Sequence, residues 1–170
     1  MSAVDLVILE RVKWDWFVSC TVKRRGASDI YLTKKCFAVL RWIARNNKLF
    51  FPNMPWALRI ESGKDPDHRH FHFLVGGLIR KSLPDRMKCI AKWDRLCGAL
   101  ANSETPRGTC RVRLYDPRGG AAGYLAKVLN SSEYEGWTRS TMRISDAAHL
   151  LARRGVSNSS AGIIGTLTVL

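Results

Sequence analysis

His68–Gly77 reads HRHFHFLVGG, and its alternation decides the architecture. Successive side chains of a strand point to opposite faces, so Phe71, Phe73 and Val75 fall on one side and His70 and His72 on the other. A half-buried strand is therefore predicted over Arg69–Val75, apolar toward a core and carrying two imidazoles on its other face. Upstream, beyond the breaks at Pro52 and Pro55, Trp56–Ser62 alternates Leu58 and Ile60 with Arg59 and Glu61 as a second strand would. Gly63–Asp67 is the loop between them. A hairpin of the two strands turns Glu61 away from the core, onto the side that His70 and His72 share.

Further out, WDWFVSCTVK at Trp14–Lys23 alternates Trp16, Val18, Cys20 and Val22 with Ser19, Thr21 and Lys23, another half-buried strand. The basic turn Lys23–Ser28 leads to an amphipathic helix over Thr33–Lys48, with Thr33 as its cap. Ser82–Cys97 opens with Ser-Leu-Pro-Asp, which places Pro84 in the first turn of a second helix. The loop Asn102–Gly108 precedes a strand over Thr109–Tyr115, with Val112 and Leu114 inward and Arg111, Arg113 and Tyr115 outward. Ala121–Leu129 puts Leu125, Val128 and Leu129 on one side of a short helix and Tyr124 and Lys127 on another. Trp137–Ile144 reads as a strand, Ser145–Arg154 as a helix and residues 155–170 as a tail. The sum is an α+β fold, an antiparallel sheet of about five strands with flanking helices, forming one domain over residues 1–170 with its core in 14–144.

Composition agrees. A chain of 170 residues buries roughly 70% of its unfolded surface, and 46% hydrophobic with 25% charged residues excludes a disordered or fibrous chain. Lys and Arg number 28 against 14 Asp and Glu, a net charge of +14 spread along the chain, which makes a polyanion the first partner to consider. The 5 cysteines show no Cys-x-x-Cys spacing and sit mostly in apolar stretches, so they read as reduced core thiols. The N-terminal segment has neither the basic flank nor the apolar length of a signal peptide or membrane span, so a cytosolic protein without a membrane partner is expected.

His70 and His72, on one side of one strand, are a candidate metal pair; the alternative is two solvated or hydrogen-bonded histidines. Glu61 is the candidate third ligand, or else an exposed carboxylate paired with Arg59 or Arg69. Mixed nitrogen and oxygen donors suit Mg²⁺ or Mn²⁺ held together with a phosphate, whereas a closed zinc site would call for cysteine. His68 would replace a ligand or contact nucleic acid. Tyr124 lies one turn ahead of Lys127 and follows the small residues of Gly119–Gly123, which let a phosphate backbone approach. A phenol with its usual pKa near ~10 needs a neighbouring cation to act as a nucleophile. The alternative is a Tyr and a Lys that merely cover the polar edge of a helix.

In this order, Glu61, then His70-Phe71-His72, then Tyr124-Leu-Ala-Lys127, the sequence resembles the endonuclease domain of rolling-circle replication initiators, the HUH family named for its His-hydrophobe-His motif, over about residues 14–130. Phe17–Lys23 matches the family's first motif loosely. The resemblance implies a ferredoxin- or RRM-like sheet and site-specific nicking and joining of single-stranded DNA. Tyr124 would attack the scissile phosphate to leave a 5′-phosphotyrosine link, Lys127 would stabilise the charge, and Glu61, His70 and His72 would hold Mn²⁺ or Mg²⁺. Thr21, Lys23, Arg24, Arg59, Arg111 and Arg113 would line the DNA path, and Tyr115 or Trp14 would stack on unpaired bases. An origin hairpin is the implied DNA partner, and no Gly-x-x-x-x-Gly-Lys motif occurs, so the expectation is either a nuclease domain of a longer initiator or reliance on a host or separate helicase. The compartment would be the cytoplasm of a bacterial or archaeal host, or the nucleus for a eukaryotic virus.

Tyr134 lies too far along to share the helix face of Tyr124, which points to a single-nucleophile enzyme. A relaxase would place its tyrosine before the His motif. A compact single-strand DNA transposase keeps the order seen here, and an RRM-like module would bind nucleic acid by aromatic stacking without a metal.

Overall fold

The computed structural model describes residues 3–23, 28–62, 68–97, 108–119 and 140–160. The alternating stretches become the strands β1 (Trp14–Lys23), β2 (Trp56–Ser62), β3 (His68–Gly76), β4 (Gly108–Leu114) and β5 (Ser140–Ile144). They form a five-stranded sheet in the order β4-β1-β3-β2-β5, each neighbouring pair antiparallel. Helices α1 (Ala3–Arg11), α2 (Asp29–Asn46), α3 (Leu83–Leu96) and α4 (Asp146–Ser160) flank it. The α+β class expected from the sequence is the one observed.

Trp16, Val18, Cys20, Val22, Leu58, Ile60, Phe71, Phe73 and Val75 are buried on one face of the sheet, against Leu32, Cys36, Val39, Leu40 and Ile43 of α2 and Cys89 and Trp93 of α3. Complete burial of a side chain the size of Phe71 or Phe73 contributes roughly 1.5–3 kcal/mol, so this layer dominates the stability of the fold. On the opposite face, Trp14, Ala57 and Leu74 pack with Ile8 and Leu9 of α1 and Ala148 and Ala152 of α4. That second core covers the end of the face where β1 begins and β3 ends. Beyond it, the strands β1, β2 and β3 carry Ser19, Thr21, Arg59, Glu61, His70 and His72 on that face.

Several boundaries differ from the sequence reading. α2 starts at Asp29, and its cap is Ser28, whose Oγ accepts a hydrogen bond from the Tyr31 amide at 3.2 Å; Thr33 lies inside the helix. The buried Leu32 is already part of the apolar stripe. α1 was not expected, because AVDLVILER is apolar around most of its circumference and lacks a clear helical stripe. α4 runs on to Ser160, so the segment expected to be a tail begins as helix. Leu114 is 54% exposed instead of inward, since it ends an edge strand where the helical layer no longer covers it. The helix expected at Ala121–Leu129, and the first residues of the strand expected from Trp137, lie outside the described residues.

The cysteines are free, with Cys20, Cys36 and Cys89 buried. Desolvation pushes their thiols well above the usual range and moves Cys97 up to about 12, so they stay protonated. Cys20 and Cys110 face each other with Sγ atoms 3.2 Å apart, well beyond a disulfide bond of ~2.05 Å. Among the described residues, no helix is long and apolar enough to cross a membrane.

Candidate active site

Residues opposite each other in an antiparallel pair point to the same face, so the register can be read as rungs across the polar face. By backbone register one rung runs Thr109, Thr21, His70, Glu61, Ser140; the next runs Arg111, Ser19, His72, Arg59, Met142; the third runs Arg113, Phe17, Leu74, Ala57, Ile144. The third rung enters the second core. The first two assemble the polar cluster, with Glu61, His70 and His72 on the adjacent strands β2 and β3.

His72 is held from two sides. Its Nδ1 lies 3.0 Å from Ser19 Oγ, and its ring stacks on Phe17 with centroids 5.9 Å apart and planes 11° from parallel. Nε2 is thereby left toward Glu61, 3.4 Å from Oε2. If Nδ1 carries the proton and donates it to Ser19, Nε2 offers its lone pair on the carboxylate side, an orientation that suits a metal ligand. In sequence, Ser19 and Phe17 fall only within the loosely matched Phe17–Lys23 motif, with no individual role. The signal was available, because the parity that puts Thr21 on this face puts both of them there too.

Arg59 Nε lies 2.8 Å from Glu61 Oε1, and both side chains are 0% exposed. The expectation that Arg59 lines an exposed DNA path is therefore incorrect: the guanidinium is buried and committed to Glu61. The pairing of Glu61 with Arg59, given above as the alternative to metal binding, is present, with the carboxylate buried instead of exposed. The contacts are ionic, and neither Glu61 oxygen completes a well-aligned hydrogen bond among the described residues.

Thr21 Oγ1 lies 2.7 Å from Thr109 Oγ1 and accepts from the Thr109 amide at 3.0 Å, so these hydroxyls tie β1 to β4 beside His70. Arg111 and Arg113 are exposed on the edge strand, as a DNA-facing role requires. Two expected stacking platforms are otherwise engaged. Trp14 is buried, with Nε1 donating to the Leu9 carbonyl at 2.8 Å, and Tyr115 is half-buried against the second core. At the end of β1, the backbone of Lys23 pairs with His68. Arg24, Tyr124 and Lys127 lie outside the described residues.

Among the described residues, no three His, Cys, Asp or Glu side chains are gathered tightly enough to hold a metal ion as they stand. The donor set nevertheless fits a divalent cation in kind: the His72 Nε2 nitrogen lies near a buried carboxylate whose oxygens lack aligned hydrogen-bond donors, and His70 is the register partner of that carboxylate's residue. At present a guanidinium supplies the positive charge beside that carboxylate.

No family model and no curated protein matches the chain. Among solved structures, it is similar to the N-terminal nuclease domain of non-structural protein 1 of minute virus of mice, with a TM-score of 0.46 and 12% identity over 91% of this chain and 100% of that one. That domain is described as having a unique Zn²⁺ coordination in its active-site pocket and a novel mode of DNA recognition at the origin of replication. A likeness at this level adds no weight to any function for the present chain.

Proposed function

We propose that this protein nicks and rejoins single-stranded DNA in a divalent-ion-dependent reaction, with Tyr124 as nucleophile. The observation that carries this reading is the register of β2 on β3, which sets Glu61, His70 and His72 on neighbouring rungs of one polar sheet face. Glu61, His70 and His72 would hold Mn²⁺ or Mg²⁺, which when bound supplies charge stabilisation at the phosphate undergoing attack. Ser19 and Phe17 fix the orientation of His72, so little rearrangement of that ring is required. Arg111 and Arg113, exposed on the same face, attract the backbone of the strand.

In the chemical step the Tyr124 oxygen forms a bond to phosphorus and the bond from phosphorus to the 3′ oxygen breaks. The departing oxygen takes up a proton and leaves a free 3′-hydroxyl, while the phenolic proton is lost. Lys127, three residues on in sequence, stabilises the phenolate or the phosphate. Attack by a 3′-hydroxyl on the phosphotyrosine reverses the step and rejoins the strand.

The test is incubation of the full chain with end-labelled single-stranded DNA and Mn²⁺, followed by denaturing electrophoresis. A covalent protein–DNA adduct is expected from the native sequence and none from Tyr124→Phe, with DNA binding retained by both. Binding without any adduct from either protein would instead identify a non-catalytic nucleic-acid-binding module.

A further inference from the structure

Resting on the metal-dependent reading above, we infer that Arg59 is an internal counter-ion that weakens divalent-ion binding at Glu61, His70 and His72 until a phosphate supplies further negative charge. Arg59 and Glu61 stand two positions apart on one face of β2, both 0% exposed, with Nε and Oε1 2.8 Å apart. Arg59 is also the register partner of His72, so its rung contains one imidazole and adjoins the rung of Glu61 and His70. The cation thus sits among the donors, not at their periphery.

A guanidinium does not lose its proton in a protein, so it cannot make room for a metal by becoming neutral. An arriving divalent ion meets a carboxylate whose charge is already matched, beside a fixed like charge in a site shielded from water, where charges are felt more strongly than at the surface. Either the guanidinium swings aside or the site carries excess positive charge. A phosphodiester from DNA relieves that excess, because it pairs with the guanidinium, the metal ion or both. Metal and DNA then favour each other's binding, and by linkage the coupling is equal in both directions. A merely structural ion pair would make no such demand: its loss would loosen the fold and leave metal affinity unchanged or lower.

Calorimetric titration of the full chain with Mn²⁺ alone, without DNA, separates these roles. Arg59→Met and Arg59→Gln are expected to bind Mn²⁺ about tenfold more tightly than the native protein, and Arg59→Lys, which keeps the charge, to stay within about threefold of it. Adding a short single-stranded oligonucleotide should tighten Mn²⁺ binding to the native protein more than to Arg59→Gln. Should Arg59→Met fail to fold, Arg59→Gln retains an amide that donates to Glu61 and provides the same comparison. Native binding with no gain in either neutral variant would overturn the role of Arg59 while leaving the metal site standing. Absence of Mn²⁺ binding in every form would overturn the metal-dependent reading and this inference together.

Discussion

At the scale of single residues, hydroxyl groups do much of the positioning. Ser19 holds an imidazole, and Ser82 holds the start of α3. The Ser82 Oγ accepts from the Asp85 amide and donates to the Asp85 carboxylate, which in turn accepts from the Ser82 amide at 3.1 Å, a capping box that satisfies otherwise orphaned donors. Ser82→Ala should lower stability at neutral pH by about 1 kcal/mol, measured by urea unfolding. The hydrogen bond from the Ser82 side chain is the main cause holding the Asp85 carboxyl below its ordinary range. A carboxyl depressed in the folded state adds stability above its unfolded pKa, near ~4, and loses it as pH falls through the lower folded value. The gap between native protein and Ser82→Ala should therefore narrow below pH ~4; a gap of equal size at neutral and acid pH would show that the carboxylate plays no part.

At the scale of elements, the site depends on how closely β4 approaches β1. A Cβ added at Gly108 would collide with the Thr21 carbonyl oxygen, so only glycine allows the edge strand to close on this rung. Gly108→Ala should push β4 outward, weaken the contact between Thr21 and Thr109, and cost about 1–3 kcal/mol in thermal unfolding; an unchanged melting temperature would mean that the strands do not pack this tightly. The strands themselves were legible because period-two alternation survives any context that keeps one face buried, and β1 and β2 begin and end at the residues the alternation marks. Alternation also identified the face on which Glu61, His70 and His72 sit. It carries no information about depth, which is why Arg59 reads as an exposed basic residue in sequence and is buried in the fold. α1 escaped for the complementary reason, its apolar residues being too continuous to define a stripe, and Ser28 was hidden as a cap behind a run of basic turn residues.

At the scale of the molecule, a net charge of +14 draws polyanions without saying where they lie. Burial of Arg59 and Trp14 removes two groups from the expected DNA path, and Tyr115 is half-buried against the second core. Exposed Arg111 and Arg113 remain on β4, on the rungs of Ser19 and Phe17, so a strand lying along β4 would pass beside His72. Each phosphate neutralised on single-stranded DNA contributes about 0.7 to the slope of log affinity against log salt. Replacing both arginines by alanine should reduce the magnitude of that slope by roughly 1.4, while stability changes by less than about 0.5 kcal/mol because both side chains are exposed. Fluorescence anisotropy with a labelled oligonucleotide across a salt series measures the slope. If the double variant loses affinity by the same factor at every salt concentration, the arginines act through something other than backbone charge; if it loses none, the strand runs elsewhere and the route past His72 is wrong.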